Sequence, residues 1–128
     1  MSNHFGGTGN LADAPSLKTV KVNGEDRKVA EMRVFFDKYK PDGQGGFEQV
    51  GGFWLDVSVW GRRAEQVADL CRKGARVSVS GSLEEDRWMD KETGEERSKI
   101  HLVADEVSLS LSRIESVQFR AKRTTEEE

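Results

Sequence analysis

The segment GGFWLDVSVWGRRAE, residues 51–65, begins with the alternating pattern of a β-strand. Side chains alternate between the two faces of a strand. Its apolar residues therefore share one face, which we expect to be the core face: Phe53, Leu55, Val57 and Val59. The other face carries Asp56 and Ser58, which are typical of a solvent-facing surface, together with Trp54 and Trp60. Two large apolar side chains on a solvent-facing surface suggest a function.

Two strands joined by a tight turn are predicted before this segment. The run SLKTVKV, residues 16–22, is followed by Asn23-Gly24, which favours a type I′ hairpin turn. The returning strand, residues 27–39, alternates between a core face and an outer face. Its core face carries Met32, Val34 and Phe36, and its outer face carries Arg33, Phe35, Asp37 and Tyr39. A flexible loop, KPDGQGG, residues 40–46, follows this strand.

A short helix and two further strands are predicted after Trp60. The run RRAEQVADLCRKG, residues 62–74, has helical periodicity and ends at a glycine. Residues 75–83 alternate strictly, and if this register continues, Trp88 lies on the outer face with Arg76, unless a bulge near Gly81 reverses it. After a turn at residues 89–96, residues 98–111 form one strand or two short ones, broken near Asp105.

This order of elements predicts an all-β protein with one short helix. Five strands with a helix between the third and the fourth are typical of an OB-fold, a five-stranded Greek-key barrel. We expect this domain at residues 16–111, after a flexible N-terminal lead-in at residues 1–15 and before a charged C-terminal tail at residues 112–128, with a frayed end at RTTEEE.

The composition limits the possible classes of function. The 128 residues fit one domain, and the net charge of −3 corresponds to the three glutamates that end the chain. A single cysteine, Cys71, excludes an internal disulfide and is expected to be a core residue. No acid–base constellation or metal cluster emerges, so we predict a non-enzyme without a metal or cofactor. No signal peptide or membrane-spanning run is recognisable, which favours a cytoplasmic, nucleoid-associated protein.

The outer face combines aromatic rings with positive charge, as single-stranded nucleic acid requires. Unpaired bases stack on aromatic side chains while cations neutralise the phosphates. The expected stacking residues are Trp54, Trp60, Trp88, Phe35 and Tyr39. The expected phosphate-binding residues are Arg33, Arg62, Arg76, Arg87 and Lys38. His101 is expected to be structural, with a phosphate contact as the alternative.

Other interpretations of the tryptophans remain open. Each ring can be covered by a loop or by a second subunit, although Asp56, Ser58, Ser78 and Ser80 argue against a second apolar layer over all three. The aromatic face can also dock a protein, as in an OB-fold adaptor of a primosome-like assembly. A metal-dependent OB-fold nuclease using Glu84, Glu85 and Asp86 is a third alternative.

The sequence resembles the bacterial single-stranded DNA-binding protein (SSB) family over residues 9–111. The similar elements are Gly9-Asn10-Leu11, a strand ending in Trp60-Gly61, a helix closed by Lys73-Gly74, the run VSVSGSL, and Trp88 before Asp90 and Thr93-Gly94. The resemblance implies an OB-fold, base stacking on Trp54, Trp60 and Trp88, homo-oligomers, and a role in DNA replication, repair, recombination or transfer.

Two features depart from the family pattern. Family members generally have an apolar first strand that contributes to subunit pairing, whereas this chain opens with MSNHFGGTGN, so either a tetramer or a dimer is expected. They also usually have a long tail whose acidic tip, ending in Pro-Phe, recruits partners, whereas this chain ends in three glutamates. We therefore do not expect partner recruitment of the family type, and we expect such a compact relative in a plasmid or mobile element.

Overall fold

The computed structural model describes residues 3–121. This part of the chain contains six β-strands, one α-helix and one 3-10 turn, in the order β1 Phe5–Leu11, β2 Ser16–Val22, β3 Glu25–Pro41, β4 Phe47–Trp60, α1 Arg62–Leu70, β5 Arg76–Met89, β6 Glu96–Leu109 and the turn Leu111–Arg113. The helix is therefore flanked by β4 and β5, as the sequence predicts.

Five of the strands close into a barrel. The strands lie in the order β1-β5-β6-β4-β3-β2, and β1 also pairs with β3, which closes the ring and leaves β2 outside it on the edge of β3. All pairings are antiparallel except that of β4 with β6. Asn23 and Gly24, at the β2–β3 turn, both have positive φ, as a type I′ turn requires. The barrel has the predicted number of strands, but β1 replaces β2 in the ring.

The segment predicted as a flexible lead-in supplies this closing strand, which corrects the prediction for residues 5–11. β1 pairs with β5 from Phe5 to Asn10 and with β3 at Asn10 and Leu11. The glycines of β1 explain why the sequence pattern did not predict this strand. A Cβ atom on Gly9 would lie 2.4 Å from the carbonyl oxygen of Phe35, so the close approach of β1 to β3 requires a residue without a side chain.

The core is formed by the alternate residues that the strand patterns predicted. Its buried members come from every barrel strand and from α1, and include Leu11, Ala30, Met32, Val34, Phe36, Leu55, Val57, Val59, Ala64, Val67, Val77, Val79 and Leu102. Phe53 is half-exposed because it lies at the end of the barrel, where its ring contacts those of Phe5 and Phe36. Cys71 is buried in this core, as predicted, and burial raises the pKa of its thiol.

The last strand is continuous. The register between β5 and β6 shifts between Ser80 and Gly81, which leaves Asp105 as an extra residue on β6. The predicted irregularity at Asp105 is therefore a β-bulge within one strand, rather than a break between two short strands. Because the extra residue lies on β6, the alternation along β5 is preserved up to Trp88.

Two hairpins extend beyond the barrel. Residues 37–52 form the β3–β4 arm and residues 84–100 form the β5–β6 arm, and most of their side chains are exposed. The parallel pairing of β4 with β6 runs from Asp56 and His101 to Val59 and Ala104, at the base of the arms. After β6, Val117 and Phe119 are exposed, and residues 122–128, which include the predicted frayed end, lie outside the described residues.

Replacing Gly9 with alanine tests whether β1 belongs to the barrel. The added Cβ forces β1 away from β3, and we expect the free energy of unfolding to fall by about 1–3 kcal/mol, the range typical of overpacking. The control is Gly6→Ala in the same strand, where the nearest heavy atom is 3.6 Å from the added Cβ and a small change is expected. Urea denaturation measures both variants, and equal stability of the two would show that β1 is only loosely attached.

Candidate nucleic-acid interface

The outer face of the sheet formed by β3, β4, β6 and β5 carries the candidate interface. The backbone register sets its rows. Phe35 lies opposite Trp54 and Arg33 opposite Asp56 on β3 and β4, and Asp56 is followed across the sheet by His101 on β6 and Glu84 on β5. Aromatic, basic and acidic side chains are therefore close neighbours on one surface.

Trp54 lies in a cluster with Phe35 and Arg33. The ring centroids of Phe35 and Trp54 are 5.0 Å apart at an interplanar angle of 53°, and the guanidinium carbon of Arg33 lies 5.0 Å from the centroid of Trp54. Gly52 makes room for the Phe35 ring, because a Cβ there would lie 2.6 Å from the ring. These neighbours fix Trp54 at the base of the β3–β4 arm while 46% of it remains exposed.

The other two tryptophans are also open to solvent. Trp60 is 39% exposed and Trp88 is 47% exposed. Trp60 lies about 20 Å from Trp54 along β4, at roughly 3.4 Å per residue, and Trp88 lies on the β5–β6 arm opposite Arg97. All three rings are therefore exposed among the described residues, which excludes the interpretation that loops within residues 3–121 cover them.

Tyr39 lies apart from this cluster. A register shift between Lys38 and Tyr39 interrupts the β3–β4 pairing, and Tyr39 is an exposed residue of the β3–β4 arm. Lys38, opposite Gly51, is exposed on the same arm but has the parity of Phe36, so it faces away from Phe35 and Trp54. Of these two residues, only Tyr39 lies on the face that a ligand would follow along the arm beyond Trp54.

The predicted phosphate-binding cations differ in their exposure and in whether they already form ion pairs. Arg33 and Arg62 are exposed, and Arg62 is the first residue of α1, two positions after Trp60. Arg87 is exposed but pairs with Glu85 at 2.6 Å. Arg76 donates hydrogen bonds to Asp37, at 3.2 Å, and to Asn10, at 3.3 Å. Because the Asp37 side chain is only 5% exposed, Arg76 is held within the protein.

The face also contains charged residues that the sequence analysis did not select. Lys99 pairs with Asp56, and Arg97 pairs with Asp90 at 3.2 Å. Both cations alternate with the same period as His101 on the outer face of β6, so the period-two pattern of the sequence could have predicted them. His101 is mostly buried, and its Nδ1 lies 2.9 Å from Asp86. This contact lacks the geometry of a hydrogen bond, and a structural role for His101 stays a prediction.

Asp90 organises the turn of the β5–β6 arm. Its Oδ1 accepts hydrogen bonds from the backbone N–H groups of Glu92, at 2.8 Å, and Thr93, at 3.2 Å, while its Oδ2 accepts one from Arg97. These bonds favour the carboxylate and lower the pKa of Asp90, the backbone N–H of Glu92 having the largest effect. These hydrogen bonds therefore stabilise the turn at the tip of the β5–β6 arm, which carries Trp88.

The described residues contain neither a metal-binding cluster nor a membrane-spanning helix. Within residues 3–121, no group of three or more His, Cys, Asp or Glu side chains is arranged to hold a metal ion. No helix in this range has the length and hydrophobicity needed to cross a bilayer.

These observations define a small OB-fold barrel with an open aromatic face. A crystal structure of a small single-stranded DNA-binding protein from Streptomyces coelicolor has the same fold, with a TM-score of 0.71 and 16% sequence identity over 87% of this chain and 96% of that one. The profile of the single-strand binding protein family matches residues 3–110. The chain therefore belongs to the single-strand binding protein family.

Individual relatives of known family agree with this assignment. A single-stranded DNA-binding protein of Treponema pallidum (strain Nichols) is 28% identical, covering 98% of this chain and 70% of the relative. Single-stranded DNA-binding protein 2 of Streptomyces coelicolor is 34% identical, covering 80% of this chain and 50% of the relative. A single-stranded DNA-binding protein of Borreliella burgdorferi is 34% identical over 52% of this chain and 45% of the relative. The chain thus spans about half the length of several relatives.

Arg76→Ala is expected to reduce stability, because it leaves the buried Asp37 carboxylate without its charged partner and with only the long hydrogen bond, 3.4 Å, that Asn10 Nδ2 donates. We expect the free energy of unfolding to fall by about 2 kcal/mol, within the range for an unsatisfied buried charged group. Arg62→Ala, which removes the same charge from an exposed helix position, is the matched control and should change stability little. Urea denaturation compares the two, and an unchanged Arg76→Ala variant would show that the pair does not hold the strands together.

The turn at Asp90 is expected to respond to acid. The lowered pKa of Asp90 means that its stabilising bonds are fully present above the ordinary carboxyl pKa, about 3.9, and are lost as the pH falls through the lower folded value. NMR titration of the amide protons of Glu92 and Thr93 should show this inflection, and Asp90→Asn should abolish it. An inflection at or above pH 3.9 would contradict the assignment.

Proposed function

We propose that the protein binds single-stranded DNA, with bases stacking on Trp54, Trp60 and Trp88 and with exposed cations neutralising phosphates. The observation that carries this proposal is the exposure of all three indoles, between 39% and 47%, on outward-facing positions of β4 and β5. Unpaired bases stack on such flat faces, and the cations beside them can neutralise the phosphates. The binding is expected to tolerate most sequences, because every base has a face that can stack.

The cations are proposed to hold the backbone at the edges of this face. Arg33 and Arg62 are close to Trp54 and Trp60, respectively, whereas Lys38 would meet the backbone only where the strand crosses to the other face of the β3–β4 arm. Phe35 supports Trp54 from the neighbouring strand, whereas Tyr39 offers a further stacking surface on the arm. Arg87 can bind a phosphate only if its ion pair with Glu85 breaks. Arg76 is paired with Asp37 and acts mainly in stabilising the fold.

The biological role is proposed from the family. Protection of single strands during replication, repair, recombination or DNA transfer follows from sequence-tolerant binding. Assembly into dimers or tetramers, a cytoplasmic location and the absence of catalysis remain predictions.

Tryptophan fluorescence tests the proposal directly. Stacking should quench the emission when oligo-dT is added, and affinity should fall as salt rises, with a slope of about −3 in log–log form if roughly four cations contact phosphates. Alanine at Trp54, Trp60 or Trp88 should weaken binding about 5- to 150-fold, the equivalent of about 1–3 kcal/mol per stacked base. The far-ultraviolet circular dichroism spectrum should stay unchanged, because each ring lies outside the core.

Leu70→Ala is the matched control. Leu70 is an exposed apolar residue of α1, outside the aromatic face, so its truncation should leave the affinity for DNA unchanged. Absence of quenching at low salt would refute single-strand binding and would favour the protein-docking alternative. Equal losses from Leu70→Ala and from the tryptophan variants would show that the aromatic face has no special role.

A further inference from the structure

A cavity of about 300 Å³ opens on the outer face between the two tryptophans of β4. Its floor is the backbone of β3 and β4 at residues 31–33 and 56–58. Trp54 and Trp60 flank this part of β4 along the strand. The cavity therefore lies directly on the path between two proposed stacking positions.

The connection between β1 and β2 forms one wall of the cavity. The backbone N–H of Ala12 donates a hydrogen bond to the carbonyl oxygen of Arg33 at 3.1 Å, which ties this connection to β3. The next residues, Asp13 and Ala14, line the cavity. The wall is therefore positioned by the same strand that carries Arg33 and Phe35.

Hydrogen-bond acceptors dominate the lining. The side chains that carry this chemistry are Asp13, Glu31 and Asp56, with Ser58 and a single cation, Arg33. Glu31 pairs with Lys18 at 2.6 Å and Asp56 pairs with Lys99, whereas no cation among residues 3–121 forms an ion pair with Asp13. An ionised carboxylate only accepts hydrogen bonds, so a group entering this cavity must donate them.

This chemistry disfavours a phosphate beside the carboxylates and also distinguishes between bases. Carboxylates repel a phosphate, so a phosphate bound by Arg33 stays at the edge of the cavity and a base turns toward the carboxylates. Cytosine and adenine present exocyclic amino groups, which donate, and aspartate or glutamate typically accepts from the amine of cytosine. Thymine and uracil have one donor, the ring N3–H, and it lies between the carbonyl oxygens O2 and O4, which would face the same carboxylates.

We infer that this cavity receives one base of the bound strand and favours bases with an exocyclic amine over thymine or uracil, with Asp56 as the main acceptor. The inference rests on the proposed single-strand binding and adds a bias at one position to stacking that is otherwise tolerant of sequence. Asp56 is the best-placed acceptor because it lies between Trp54 and Trp60 on the same strand, and because Lys99 pairs with its Oδ2 and leaves Oδ1 to accept.

A comparison of oligo-dC with oligo-dU of equal length isolates the amine. The two bases lack the thymine methyl group and differ only where cytosine has its amino group and the adjacent ring nitrogen. At pH 8 and fixed salt, we expect oligo-dC to bind about fivefold more tightly, as one good charged hydrogen bond allows. Tryptophan quenching gives both affinities with the same protein.

Asp56→Asn assigns the preference to its acceptor. Loss of one negative charge should strengthen binding of both oligonucleotides, but their affinity ratio should fall close to one, because the amide no longer requires a donor. Asp69→Asn, the same change on the exposed surface of α1, should keep the ratio of the unmodified protein. Asp13→Asn should lower the ratio less than Asp56→Asn does.

The outcomes separate this inference from the proposed function. No binding of either oligonucleotide would refute single-strand binding itself. Binding of both with equal affinity, or tighter binding of oligo-dU, would overturn the amine preference and leave single-strand binding intact. A preference for oligo-dC that persists in Asp56→Asn would show that Asp56 is not its source and would overturn the assignment.

Discussion

The strict alternation of β4 between core and outer face is the constraint on which the site depends. Leu55, Val57 and Val59 are buried in the barrel, so the residues between them and after them have to face outward. A shift of one residue would bring the tryptophans inward and expose the valines. The free energy of core burial therefore also fixes the direction of Trp54 and Trp60, and the barrel needs no separate device to present them.

Much of this arrangement could be predicted from the sequence, because period-two alternation is a local signal. It placed the tryptophans on the outer face and Val57 in the core, and the resemblance to the SSB family agrees with the family match. The Gly-rich β1 gave no such signal, because Gly9 is required by the approach of another strand rather than by its own neighbours. The pair between Arg76 and Asp37 was equally hidden, since its partners are 39 residues apart and meet only after the barrel closes. Local patterns predict which way a side chain points, but not which distant charge it meets.

Charge on the face is divided rather than uniformly positive. Carboxylates occupy the middle, at Asp56 and Glu84, while Arg33 and Lys99 are interspersed with them. Such a surface attracts a polyanion only weakly at long range, in keeping with a net charge of −3. The distribution suits a ligand whose flat, uncharged parts approach first and whose phosphates remain at the edges.

The short parallel pairing of β4 with β6 has a mechanical consequence. It joins four residues of each strand, from Asp56 to Val59 and from His101 to Ala104, and the two arms diverge from that seam. Strand pairing between the two arms is therefore limited to their base, with Trp54 beside one arm and Trp88 along the other. Bending of either arm would change the distance between these rings without breaking a hydrogen bond of the β4–β6 pairing.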